Sequence, residues 1–263
     1  MASFSVASNI ASANAQANLQ VTQIGLQKSL NRLSSGFRIN NSGDDAAGLA
    51  VANGYRANVA IINQGIRNAN DGLSGLQVVD GALSNVATLL DRLATLAAQA
   101  ASGTSGNRQT LDDEFQDVVE EIDREVTVAG LASTSNFSVF VSANGADGYI
   151  TGSISAALST DLGIDGLDLT TDADAAVNAV RGAVGTLGDS QAQVGALENR
   201  LQFAISLGNS QSVNTRAAES RIRDANIAEE SANMTRYSIL TQSGVAALAQ
   251  ANQSASAVLS LLR

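Results

Sequence analysis

The sequence predicts a mainly α protein: a long antiparallel helical bundle or coiled coil, built from the N- and C-terminal segments, with a small β-containing unit at the distal turn. Three observations predict it. Apolar residues recur at steps of three and four through most of the 263 residues. The hydrophobic share is 44% but the aromatic share only 3%, which suits thin helix-to-helix seams of Ala, Leu, Val and Ile rather than a thick core. Proline is absent, so long helices can run without its interruption.

The elements follow in order. Leu19, Leu26, Leu30 and Leu33 give the N-terminal segment one apolar face. From Asp45 to Gln99 the periodicity is strongest. One heptad face carries Ala52, Val59, Ile66, Leu73, Asp80, Ala87 and Ala94; its neighbour carries Tyr55, Ile62, Ala69, Leu76, Leu83, Leu90 and Ala97. Such a helix would be roughly 80 Å long at 1.5 Å per residue. Ser42, Asp44 and Asp45 precede it, and Ser42 with Asp45 resembles a capping box. Metal binding by the two aspartates is the rival reading.

Gly103-Thr104-Ser105-Gly106-Asn107 reads as a turn, and a helix follows with Leu111, Phe115, Val118, Ile122 and Val126 on one side. Alternation at Phe137, Val139 and Val141, a turn signal at Asn144-Gly145 and β-prone Tyr149-Ile150-Thr151 predict the small β unit. Thr171 and Asp172 open another long helix marked by Val177, Val180, Val184, Leu187, Val194, Leu197, Leu201 and Ala204. Its pattern loosens near Gln191 and after Gly208, so the last helix is expected to begin near Glu219. That helix includes Ile222, Ala225, Ala232 and Ile239, then a stripe of Leu240, Gly244, Ala247, Ala251, Ala255, Val258 and Leu262. A lone helix with such a stripe is marginal in water, so another segment or another copy must cover it.

Composition excludes whole classes of chemistry. With no His and no Cys, the Ser–His and Cys–His nucleophile pairs are ruled out, as are thiolate metal sites. There is no phosphate-binding loop, and Gly182, Gly185 and Gly188 are three apart on a helix, not in a dinucleotide fingerprint. Asp165, Asp168, Asp172 and Asp174 lack the spacing and central glycine of a calcium loop. Glu120, Glu121 and Asp123 beside Arg124 read as a solvated, ion-paired face. No catalytic, cofactor or metal residue is therefore expected. The net charge of −10 argues against nucleic acid. No apolar run approaches a membrane span, so membrane insertion is not expected, and no secretory signal is recognisable at the start.

Leu33-Ser34-Ser35-Gly36-Phe37-Arg38-Ile39-Asn40, Asp44-Asp45-Ala46-Ala47-Gly48 and Arg67-Asn68-Ala69-Asn70-Asp71-Gly72 resemble the N-terminal signature of bacterial flagellin. Ser220-Arg221-Ile222-Arg223-Asp224-Ala225, Asn233-Met234-Thr235, Leu248-Ala249-Gln250-Ala251-Asn252-Gln253 and the closing Leu259-Ser260-Leu261-Leu262-Arg263 resemble its C-terminal signature. The resemblance covers about residues 1–128 and 175–263 and is to a short form without large outer variable domains.

It implies a filament subunit, exported unfolded through the flagellar type III apparatus and polymerised at the tip, outside the cell. It implies termini that are disordered in the free chain and become helical in the filament. The implied domains are 1–42 with 219–263 as an inner coiled coil, 43–128 with 171–218 as a long-helix rod, and 129–170 as the rod's small β-containing part. The implied subunit interface is Leu19, Leu26, Leu30, Leu33, Ile222, Ile239, Leu240, Ala247, Ala251, Val258 and Leu262. Further implied partners are flagellar cap and hook-associated proteins, an export chaperone at the C-terminus, and an animal Toll-like receptor. For the receptor, Arg92, Leu96, Gln99 and Glu114 match the family's contact stretch, while Asp91 and Ala94 depart from it. A hook–filament junction protein and a secreted coiled-coil adhesin are the alternative functions.

Overall fold

A computed structural model of the chain describes residues 9–102, 106–142 and 148–261, with side chains described to residue 254. The expected turns at Gly103-Thr104-Ser105 and Asn144-Gly145 lie outside those residues. The elements are α1 (Ile10–Ser35), α2 (Ala46–Ala101), α3 (Arg108–Val128), β1 (Ser135–Phe140), β2 (Tyr149–Ile154), α4 (Ser159–Leu162), α5 (Ala173–Arg223) and α6 (Ile227–Leu261). They form two compact units: Asn58–Asn214, and the stretch up to Ala57 together with the stretch from Thr215 onward.

The Asn58–Asn214 unit holds the hydrophobic core. Of the second predicted heptad face of α2, Ile62, Ala69, Leu76, Leu83, Leu90 and Ala97 are buried, while Tyr55, which precedes this unit, is half-buried; Asp80 on the other face is exposed. Toward its end α2 also buries Val86, Leu93, Leu96 and Ala100. Here α3 folds back beside it, with Asn85 donating to Glu125 at 2.7 Å and Arg92 paired with Glu114. A helix covered by two neighbours buries a wider arc than one seam needs. α3 contributes Phe115, Val119, Ile122 and Val126, and α5 contributes Val180, Ala183, Leu187, Val194, Leu197 and Leu201. Among the described residues α2 is the one helix that contains an 18-residue stretch, of mean hydropathy 1.2, long and apolar enough by composition alone to cross a membrane. Its stripe of Leu76, Leu83 and Leu90 packs within this core.

β1 and β2 pair antiparallel, from Ser135 opposite Ile154 to Phe140 opposite Tyr149. The sheet is as small as expected, but its position is a correction. It lies beside the middle of α2, not at that helix's far end: the Asn68 side-chain Nδ2 donates to the Phe140 carbonyl at 3.2 Å, and Val139 and Phe137 press on Gly72. Because α3 retraces α2, the chain has already come back when the strands begin. Asp123 accepts from both the Ser159 amide (2.7 Å) and hydroxyl (2.8 Å), and Asp112 accepts from the Leu169 amide (2.9 Å). Asp172 caps α5 by accepting from the Ala175 amide at 2.9 Å, as its position before the stripe predicts.

A second correction concerns α5, which continues to Arg223 instead of giving way to a new helix near Glu219. Gly208 and Ser212, where the apolar pattern loosens, are buried against α2: a Cβ on Gly208 would sit 3.0 Å from Ile66, and the Ser212 hydroxyl donates to Asn63 at 3.1 Å. Small and hydroxyl side chains there mark a close approach of helices, not a break.

In the other unit, the capping box is also corrected. Asp45 alone caps α2, accepting from the Gly48 amide at 2.8 Å. Asp44 instead organises the preceding turn, accepting from the Asn40 and Asn41 amides at 3.3 Å each. α1 ends at Gly36, whose φ of 75° is left-handed and whose amide donates to the Arg32 carbonyl. The two helix breaks of this unit, 36–45 and 224–226, meet through a bridge between Phe37 and Asp224.

Candidate self-assembly surface

α1 and α6 pack against each other. Their contacts run in strict sequence: the Asn9 side-chain Nδ2 donates to the Ala251 carbonyl (2.9 Å), Leu19 meets Gly244, Tyr237 meets Gly25, and Arg32 pairs with Glu230 (2.8 Å). Each step up α1 is a step down α6, so the helices are antiparallel. Glycine is required at the middle contact, because a Cβ on Gly25 would lie 2.6 Å from the Tyr237 ring. At the base of the seam Lys28 pairs with Asp44 at 2.8 Å, and Arg32 lies between Asp44 (4.0 Å) and Glu230. The Lys28 ammonium, which donates to it, is the main influence holding the Asp44 carboxyl below its ordinary range, helped by the Asn41 and Asn40 amides and opposed by partial burial.

This seam is thin. α1 buries Ser29, and α6, among its described side chains, buries Glu230; both are polar. Large apolar side chains instead face outward: Val21 (67% exposed) and Ile24 (60%) on α1, Ile239 (58%) and Val245 (55%) on α6, with Ile10 and Ile227 near the ends. At 100° per residue, Ile10, Val21 and Ile24 lie on the side of α1 away from Leu19, Leu26 and Leu33. Beside the seam lies an open groove of about 420 Å³, lined by Ala11, Ala15, Leu19, Leu240, Gly244 and Ala247 among others.

The expected interface residues divide accordingly. Leu19, Leu26, Leu33 and Ala251 are half-buried along the seam, and Ile222 is half-buried at the end of α5. Leu30, Ile239, Leu240 and Ala247 are exposed. The Val258 side chain and all of Leu262 lie outside the described residues. Sequence reasoning missed Val21, Ile24 and Val245. Their signal was present, as a second apolar line at Ile10, Val21 and Ile24 set among Gln20, Gln23 and Gln27, but the leucine line beside it was stronger.

The four receptor-stretch residues also divide. Arg92 and Glu114 form an exposed ion pair between α2 and α3, Gln99 is exposed, and Leu96 is completely buried in the core. Leu96 is thus a packing residue, corrected from a surface contact. The acidic residues weighed for chemistry are engaged structurally: Glu121 pairs with Arg124, and Asp168 accepts from the Thr170 hydroxyl (2.6 Å) and amide (2.7 Å). Each of these two carboxyls is held below its usual range chiefly by that partner, the Arg124 guanidinium for Glu121 and the Thr170 hydroxyl for Asp168.

Comparison with known proteins places this arrangement. Residues 6–132 match the bacterial flagellin N-terminal helical region, and residues 177–262 match the bacterial flagellin C-terminal helical region. The flagellin of Halalkalibacterium halodurans is 36% identical over 97% of this chain and 98% of its own length. A flagellin of Treponema pallidum is 33% identical and the flagellin of Bacillus subtilis 31% identical, over the same shares. A crystal structure of Bacillus cereus flagellin aligns with a TM-score of 0.48 at 25% identity, covering 58% of this chain and 94% of that one. With both terminal regions matched in order and relatives alike from end to end, the chain belongs to the bacterial flagellin family.

Proposed function

We propose that α1 and α6 are the surfaces through which this chain joins identical copies, after unfolded export and at the tip of a growing filament. The chain is a structural subunit of the extracellular bacterial flagellar filament. One observation carries the assignment of surface: a helix pair without a buried apolar side chain among its described residues displays Val21, Ile24, Ile239 and Val245 beside an apolar groove. Covering such side chains stabilises by roughly 1.5–3 kcal/mol each when burial is complete. A contact that seats the protruding residues of one copy in the groove of the next is heterologous and continues into an open helical polymer.

Leu30, Ile239, Leu240 and Ala247 supply this contact together with Val21 and Ile24, and Val258 and Leu262 extend it. Leu19, Leu26, Leu33 and Ala251 support it from the seam. The domain division at 42/43 and 218/219, with 129–170 as a separate part, belongs to the same proposal. So do contacts with cap and hook-associated proteins, an export chaperone at the C-terminus, and a Toll-like receptor through Arg92, Gln99 and Glu114. The chain acts without catalysis, its carboxylates serving as caps and ion pairs.

The test is seeded growth. Purified chain added to short filament seeds is expected to lengthen them. Ile24→Asp with Ile239→Asp is expected to stop elongation while leaving the helical signal of the Asn58–Asn214 unit unchanged. Elongation by that double variant at the wild-type rate contradicts the assignment. Counting copies in sheared filaments separates a filament subunit from a junction protein.

A further inference from the structure

We propose that the two helix breaks, residues 36–45 and 224–226, form a clasp from which α1 and α6 zip together, and that this clasp sets the rate at which the helix pair orders when a subunit is added. The proposal rests on the self-assembly reading and adds a kinetic step to it.

Helix ends leave backbone groups without partners. At the end of α5 the Arg223 carbonyl accepts from the amides of Arg38 (2.6 Å) and Ile39 (3.4 Å), and the Ile222 carbonyl accepts from the Arg38 guanidinium (2.7 Å). In return the Gly36 carbonyl, just past α1, accepts from the Ala225 amide (2.9 Å). The exit of α1 therefore caps α5, and the exit of α5 secures α1; neither end is complete without the other. The Arg223 guanidinium lies 4.1 Å from the centre of the Phe37 ring, and Ile39, two residues on, is 1% exposed. One turn further, Asn226 caps α6 by accepting from the Ala228 amide at 3.2 Å, and Arg32 reaches Glu230.

Beyond this point the pair has little to hold it. Among the described residues the buried positions of α1 and α6, Ser29 and Glu230, both lie within two turns of the breaks, and Val21, Ile24, Ile239 and Val245 further out are exposed. Contacts beside a tether close short loops, whereas the Asn9–Ala251 contact closes a long one, and closure cost grows with loop length. Ordering therefore begins at the clasp and runs outward.

The experiment adds full-length variants to wild-type seeds, and measures elongation rate and critical concentration. Phe37→Leu and Asn226→Ala test the clasp, and Leu19→Ala tests the far seam opposite Gly244. The clasp variants are expected to slow elongation by about three- to tenfold, the rate accounting for nearly all of the lost stability. Leu19→Ala is expected to elongate at close to the wild-type rate and dissociate faster. Clasp variants that elongate normally and only dissociate faster overturn the clasp, as does Leu19→Ala slowing elongation as much as Phe37→Leu. A wild-type chain that fails to lengthen seeds overturns the self-assembly reading and the clasp together, and so is told apart from failure of the clasp alone.

Discussion

Asp44 shows how one carboxylate can serve a turn and a neighbouring helix at once. It accepts from two amides of the turn before α2 and from the Lys28 ammonium of α1. These contacts favour the ionised form, so its folded pKa lies below the unfolded value of about 3.9. Its contribution is therefore complete above that unfolded value and lost as pH falls through the lowered folded one. Asp44→Asn is expected to destabilise the chain at pH 7 by about 0.5–1 kcal/mol, since Lys28 is half-exposed and screened by solvent. The difference from wild type should shrink as the pH is taken below about 4. Calorimetric melting of both proteins at neutral and acid pH checks this; a difference that grows on acidification contradicts the role given to Asp44.

At the scale of the element, α2 carries glycines of opposite meaning. A Cβ on Gly65 would collide with the backbone carbonyl of Val141, which leads away from β1, whereas one on Gly75 meets nothing within 4 Å. Gly65→Ala is expected to cost about 1–3 kcal/mol through overpacking against backbone. Gly75→Ala is expected to stabilise by about 0.5–1 kcal/mol through helix propensity. Thermal melts should shift in opposite directions, and a shared sign would refute the placement of the hairpin. The sequence could not separate these glycines, because the contact that distinguishes them comes from a strand some 75 residues later. What it did reveal follows local physics: Ile62 to Ala97, at steps of seven, marked the buried face of α2, and Asp172 marked the start of α5. The errors arose where tertiary packing overrode pattern. Gly208 and Ser212 read as a weakening helix because a close helix contact uses small residues. Leu96 counted as a contact only by its match to the family's contact stretch, and the core buries it completely.

Across the whole chain, apolar burial is concentrated in one unit. The buried core from Ala69 to Leu201 lies within Asn58–Asn214, while the unit formed by the two ends buries Ile39 and Ala52 as its apolar residues among those described. Local opening costs least where few apolar side chains are buried, so the ends should open many times before the core does once. Basic residues are placed to report this. Lys28, Arg32, Arg38, Arg223 and Arg236 lie in the unit of the ends; Arg92, Arg124, Arg181 and Arg200 lie in the other. Trypsin added briefly to the unassembled chain is expected to cut at the first group and spare the second, leaving a fragment that contains Asn58–Asn214. In filaments the first group should become protected, because covering Val21, Ile24 and Ile239 stabilises the helix pair against opening by mass action. Mass spectrometry of the two digests decides the matter. Early cleavage at Arg124 or Arg181 contradicts the division of stability, and equal cleavage at Lys28 and Arg32 in both states contradicts burial of α1 between subunits.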